Sequence, residues 1–582
     1  MTNNRERLFA ASEVLEAGAW RAELRHDEIA DISYAGVPVL RGIRAVVRDR
    51  DWQTLVPVLR GIERIPAKEG TSLLLDLEFD GYGYRYSGTL GIAFSADSLE
   101  VVFDGVSPAD FQSNRIGLVV LHRPDDAGRE VLIGGSSGDH TPSMFPVDIS
   151  PHQPFQNIAT MRWQRDGTDF KLAFTGDIFE TEDQRNWTDA SFKTYSRPLA
   201  LPFPMDVPAG SRLHQSVRLT ALSGQSPAPE SSVAEDLVIT ADIESVVPAL
   251  SLPVASISEP HAETGFLEGV ESLLVELVAG APRVAQLAKY ATEIAEALQV
   301  PLDVRLSAET PNEVPDLLQL VPTRNIARLG VFHSTRHITE PDLWKALKSA
   351  ADDAGLTASL IAGARSHFTE LNRNAHIVPA DAEALAYSIT PQMHATEVHH
   401  LVESLPMQRL TAQNALRISG GRPLHVGPVT LKPRFNAVAT STGAERGSTE
   451  APIDPLQLDP FAAAWVLGSI AALSIPGVQS ISYFESEGPR GISTPTGLTD
   501  AGKVLAAIAA LRGHNVLKVL GVRSGLVLYP VQADDEIVLF AANLTQKLMT
   551  GKVRLPGGST AEIALEPWSA IIQDIKTEGR TT

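Results

Sequence analysis

The chain has 582 residues, too many for one hydrophobic core, and should divide into about three domains. Its 43% hydrophobic and 20% charged residues form an ordinary globular balance, which excludes a fibrous or wholly disordered polymer. The 70 acidic against 49 basic residues leave −21 at pH 7, a field that repels nucleic acid and anionic membranes, and the lack of cysteine excludes disulfides, thiolate metal sites and cysteine nucleophiles.

The chain begins MTNNRERLFAASEV, with early charges and no apolar run leading to a small-residue cleavage site, so no signal peptide is read there. No apolar stretch is long enough to span a bilayer, and a cytoplasmic protein is expected. Residues 1–222 read as strands: Leu73–Phe79, Tyr82–Tyr86, Thr89–Phe94 and Leu99–Phe103, with Gly81, Gly83 and Gly88 as punctuation. That pattern predicts an N-terminal antiparallel β-sandwich. SGQSPAPESS at 223–232 is small, polar and proline-rich, and a linker with the entry to the next domain is placed at 223–245.

From 246 to 514 the rhythm changes. Short apolar runs at Val254–Ser258, Leu273–Val278, Leu302–Leu306, Leu329–Phe332, Thr357–Ile361, Leu385–Ile389, Leu424–Thr430 and Ser480–Phe484 alternate with helical patterns. The clearest helix puts Val284, Leu287, Ala288, Ala291, Ile294, Ala295 and Leu298 on one face. Another follows Asp459-Pro460, a good N-cap and first-turn pair. Eight such units predict a central (β/α)8 TIM-type barrel, and no glycine-rich phosphate loop favours a doubly wound sheet instead. Strands return at 515–582, a small C-terminal β domain. The fold class is therefore multidomain, α/β plus β. A polar low-complexity run at Ser441–Pro455 follows the seventh barrel strand.

Barrel enzymes take their catalytic groups from the C-terminal ends of strands. After the fifth strand that rule selects Glu370, Asn372 and Arg373, and after the sixth Gln392 and His394. After the seventh it selects Lys432, Arg434 and Asn436, and after the eighth Glu485, Glu487 and Arg490. Two carboxylates from separate strand ends, with cationic and amide groups between them, suit acid–base work on a polar substrate. Each of these groups also has a plainer use as a solvated or ion-paired loop residue. No HExxH or EF-hand spacing is present, so neither a metal nor a cofactor is expected. In the N-terminal domain, residues 182–195 pack Arg185, Asn186, Trp187 and Lys193 beside three acids. Such a set can hold sugar hydroxyls against an aromatic face, or simply brace a loop with ion pairs.

Seven segments together resemble the D-apionate lactonase (D-apionolactonase) family of bacterial apiose catabolism: NRIGLVVLH, ISPHQPF, EDQRNWTDASFKTY, FTELNR, ITPQMHA, PVTLKPRFN and SYFESEGPRG. They run in order from Asn114 to Gly491. The resemblance implies a β domain, a TIM-type barrel and a second β domain, and the hydrolysis of a branched aldonolactone to its open acid. On the barrel argument, one of Glu370 and Glu485 then acts as general base on water or attacks the carbonyl directly, the other protonates the ring oxygen, and His394, Arg434 or Asn436 stabilises the oxyanion. Arg434, Asn436, Gln392, Asn372, Arg185, Asn186, Trp187 and Lys193 hold the substrate. The expected partner is a small sugar lactone, and a homo-oligomer is compatible with the sequence. Two other readings stay open: a retaining glycoside hydrolase, which uses the same carboxylate pair as acid/base and nucleophile, and a non-catalytic carbohydrate-binding protein.

Overall fold

The structure, a computed structural model, describes residues 4–65, 71–223, 236–255, 269–441, 453–534 and 536–576. The chain forms two units, one of Met1–Ser232 with Thr396–His399 and Val438–Glu445, the other of the remaining residues.

In the first unit, alternation along the strands builds two antiparallel sheets of eight and nine strands. Ser72–Gly81 shows the cause: Leu73, Leu75, Leu77 and Phe79 are all at most 1% exposed, while the residues between them face the other way. Side chains of both sheets, among them Trp20, Ile43, Val120, Phe103 and Phe170, form one core. Each such buried side chain contributes roughly 1.5–3 kcal/mol. Tyr84–Phe94 is one strand rather than the expected two. Gly88 lies inside it because a Cβ there would stand 2.6 Å from the Phe103 ring, so this glycine serves close approach and not a turn.

The second unit holds a closed barrel of eight parallel strands. In order they are Ala249–Pro253, Ser272–Val278, Leu302–Ala308, Ile326–His333, Ser359–Gly363, Ala384–Ile389, Leu424–Val429 and Val478–Tyr483. Seven overlap the expected runs. The first falls earlier than Val254–Ser258, at Ala249–Pro253, with Pro253 at its end, where proline is tolerated. Residues 256–258 of that expected run, the 224–232 part of the linker and most of the Ser441–Pro455 loop lie outside the described residues. The expected helix is present as Val284–Leu298, with Ala288, Ala291 and Ala295 buried.

The C-terminal strands form one seven-stranded sheet. It takes a strand, Leu237–Val246, from the segment assigned to linker and barrel entry. Leu237 and Ile239 join its core with Ile537, Leu539, Val553 and Leu565, and that apolar alternation outweighs the neighbouring proline-rich composition. Helix Pro460–Leu473 is capped by Asp459, which accepts from Phe461 N at 3.0 Å. It is buried nearly all round, because it packs on the other barrel helices and against this sheet, as at Phe461 with Trp568 and Ser474 with Tyr529.

Candidate active site

The inward face of the barrel is polar. At the N-terminal end, Arg328 donates to Asp303 (3.0 Å), Glu271 (3.0 Å) and Ser272 (2.5 Å), and Arg305 pairs with Asp303 at 3.3 Å. Burial alone would raise the Asp303 carboxyl, but Arg305 and Arg328 hold it well below the usual carboxylate range. Arg305 also donates to the carbonyl of Gly427, across the barrel. Its guanidinium thus stands between the lower network and the mouth.

At the mouth, strand ends two, five, six and seven meet. Glu276, from the second strand, accepts Nε and Nη2 of Arg365 at 2.9 and 3.0 Å and Nη1 of Arg434 at 2.8 Å. Arg434 Nη2 donates to the Arg365 carbonyl (2.6 Å) and to Ser388 Oγ (3.2 Å), which ties the sixth strand into the same cluster. Phe435 lies beneath both guanidinium groups, 4.2 Å from Arg365 and 5.2 Å from Arg434. Burial would raise the Glu276 carboxyl, but Arg365 first and Arg434 second keep it far below its ordinary value. Glu276 therefore stays ionised at any working pH. Two guanidinium groups against one carboxylate leave the cluster positive, inside a chain of net charge −21.

Several other barrel residues selected from sequence have partners of their own. Glu370 is the third residue of helix Phe368–Arg373, and its Oε2 accepts Ser366 Oγ at 2.7 Å and His367 N at 3.0 Å. Burial pushes its carboxyl up, against the opposing pull of Ser366 and Arg373. Asn372 lies half-buried on the same helix. Gln392 is buried and donates to Asp454, the cap of the turn Pro455–Leu458. His394 and Asn436 are half-buried. Glu485 accepts from Arg490 Nη2 at 2.6 Å, and Glu487 accepts from the hydroxyl of Tyr290. Of the residues selected from sequence, Arg434 is the one these contacts tie into the Glu276 cluster among the described residues.

Glu276, Arg365, Phe435 and His337 were not selected. Glu276 had a signal: it is the lone charge in SLLVELV, and a carboxylate on a strand buried on both faces has a specific partner. Arg365 sits five residues before Glu370, the first residue that the strand-end rule selects after the fifth strand.

In the first unit, the 182–195 segment is an antiparallel pair with a short turn, Gln184–Trp187, between its strands. Arg185 binds Asp183 through Nε (2.8 Å) and Nη2 (2.7 Å), reaches the carbonyl of Pro146 at 2.8 Å, and lies 4.2 Å over Phe192. Asn186 donates to the carbonyls of Ser150 and Asp183. Trp187 Nε1 and Lys193 Nζ share the Glu182 carboxylate at 3.0 and 2.8 Å. Arg185 is 1% exposed and Asp183 no more, so Arg185→Ala should strand a buried carboxylate and cost about 3–5 kcal/mol of stability, read as an earlier denaturant midpoint. An unchanged midpoint contradicts the bracing role.

Sequence models of two known domains match most of the chain. Residues 2–224 match D-apionate lactonase, N-terminal domain, and residues 259–517 match D-apionate lactonase, TIM barrel domain. A curated D-apionate lactonase from Brucella anthropi is 25% identical over 97% of this chain and 96% of its own length. Among solved structures, a glycoside hydrolase family 30 endoxylanase from Clostridium papyrosolvens aligns at TM-score 0.39 and 11% identity, over 59% of this chain and 100% of that one. An α-L-arabinofuranosidase from Thermotoga maritima aligns at TM-score 0.41 and 10% identity, over 59% and 97%. Scores this low carry no function across.

Proposed function

This chain belongs to the D-apionate lactonase family, and from that premise we propose that it opens the lactone of a small branched sugar acid, D-apionolactone or a close analogue, to the aldonate. The observation that supports the chemistry is the positive cluster at the barrel mouth. A lactone is neutral, whereas the tetrahedral intermediate of its hydrolysis and the acid product are anions. A preorganised surplus of guanidinium charge favours both over the substrate.

In this reading Glu485 takes a proton from water as the water oxygen bonds to the lactone carbonyl carbon. The carbonyl electron pair becomes an oxyanion that faces Arg434. Among the described residues, Arg434 Nη1 and Nη2 donate to Glu276, the Arg365 carbonyl and Ser388, which leaves its Nε–H for a ligand. When the oxyanion collapses, the bond from the carbonyl carbon to the ring oxygen breaks. Glu370, whose carboxyl burial pushes above its ordinary value, gives its proton to that oxygen. His394, Asn436, Gln392 and Asn372 would bind hydroxyls. The new carboxylic acid then loses its proton to solvent, and Glu485 releases the proton it took as Glu370 regains one from solvent, which resets both groups.

Hydrolysis in ¹⁸O-labelled water tests the reading. Attack at the carbonyl puts one ¹⁸O in the released carboxylate. Label in the new alcohol, or no acid released from any aldonolactone, contradicts it.

A further inference from the structure

Beside the Glu276 cluster lies a buried side chain that this chemistry does not use. His337 lies in the loop after the fourth strand and is 1% exposed. Neither Nδ1 nor Nε2 has a hydrogen-bond partner among the described residues. Its ring centroid is 4.7 Å from that of Phe435, the ring that carries both guanidinium groups, so the imidazole belongs to the Glu276 cluster. The backbone fixes its place. His337 N donates to the His333 carbonyl at 2.9 Å, and the His337 carbonyl accepts Arg365 N at 2.9 Å. The residue sits at φ 57°, in the left-handed region, where histidine is one of the non-glycine residues found more often than most.

A buried polar atom without its hydrogen bond costs about 1–3 kcal/mol. Here one ring carries two such atoms, a penalty that an apolar side chain would not incur. The ring is also neutral: burial first, then Arg365, push it down to about 3, against the opposing pull of Glu276. A neutral imidazole offers one N–H donor and one lone pair. That pair suits a hydroxyl, which both donates and accepts. A carboxylate would use only the donor and a cation only the lone pair.

We propose that His337 is a specificity-determining residue that hydrogen-bonds a hydroxyl of the lactone when the half-buried Phe435 ring turns away from it. The proposal rests on the lactonase reading and adds the recognition of the polyol to it. The order of events follows from burial. At 1% exposure the imidazole takes a ligand only when a neighbour moves, and the half-buried Phe435 ring, 4.7 Å away, is the neighbour to which the proposal assigns that movement.

The test compares kcat/KM on D-apionolactone with analogues that each lack one hydroxyl, using wild type, His337→Phe and His337→Gln. A site built to bond a hydroxyl rejects the analogue without it, so wild type should lose about a hundredfold or more on one analogue. His337→Phe should treat that analogue and the parent lactone within about fivefold of each other, and His337→Gln should recover part of the discrimination. A packing role alone would lower the melting temperature of His337→Phe and leave the discrimination ratio as in wild type. That result overturns the proposal. So does a wild-type enzyme indifferent to every missing hydroxyl, a measurement that needs no variant to fold. A wild type that opens no lactone at all removes the functional reading, and this proposal with it.

Discussion

Glutamine in place of Glu370 should lower kcat by at least about a hundredfold and leave the melting temperature nearly unchanged. The stability half of that expectation comes from the helix it begins. Glu370 stands at the third position of Phe368–Arg373, where its side chain caps the N-terminus by accepting His367 N. Glutamine keeps a carbonyl oxygen at that position and caps nearly as well. What it loses is the proton. Burial raises the Glu370 carboxyl above its ordinary value, so the group is a proton donor below the raised pKa and loses that role as pH climbs through it. The wild-type profile should therefore fall on its alkaline side, and Glu370→Gln should lack that limb. Near-wild-type turnover in the variant reduces Glu370 to a cap, and the ring oxygen must then find its proton elsewhere.

Arg434→Gln should cost about a hundred- to a thousandfold in kcat, the usual worth of one oxyanion donor. The loss should fall on kcat more than on KM, because the interaction strengthens only as the oxyanion forms. The fold should survive, since Glu276 keeps both bonds from Arg365. The aldonate product should also bind more weakly, as the mouth no longer carries surplus positive charge. A variant that raises KM alone would place Arg434 in ground-state binding. A variant that merely melts early would make it a brace between the strand ends.

The barrel was legible because its strands are buried on both faces and read as apolar runs, which alternate with helices such as Val284–Leu298. The same property hid the site. A run such as SLLVELV reads as scaffold, so Glu276 passed as an interruption, although its carboxylate anchors the mouth. Arg434 was selected because it follows a strand, but its partners come from residues about 70 and 158 positions earlier, a juxtaposition that only barrel closure creates. Gly88 reads as turn punctuation, whereas it lies inside one strand and makes room for Phe103. In Glu182–Tyr195 the density of charge was evident, and the structure shows Arg185 and Lys193 each bound to an acid of their own segment.

The central claim, that a small branched sugar lactone is opened at this barrel mouth, is tested most directly by acid release. Purified chain would be offered D-apionolactone, other aldonolactones and aryl glycosides, with a pH indicator and an aryl-alcohol readout in parallel. The account predicts one proton released per lactone consumed, fastest with the branched substrate, and no aryl alcohol. Release of the aryl alcohol with every lactone left intact would contradict it, and would assign the two strand-end carboxylates to glycoside cleavage.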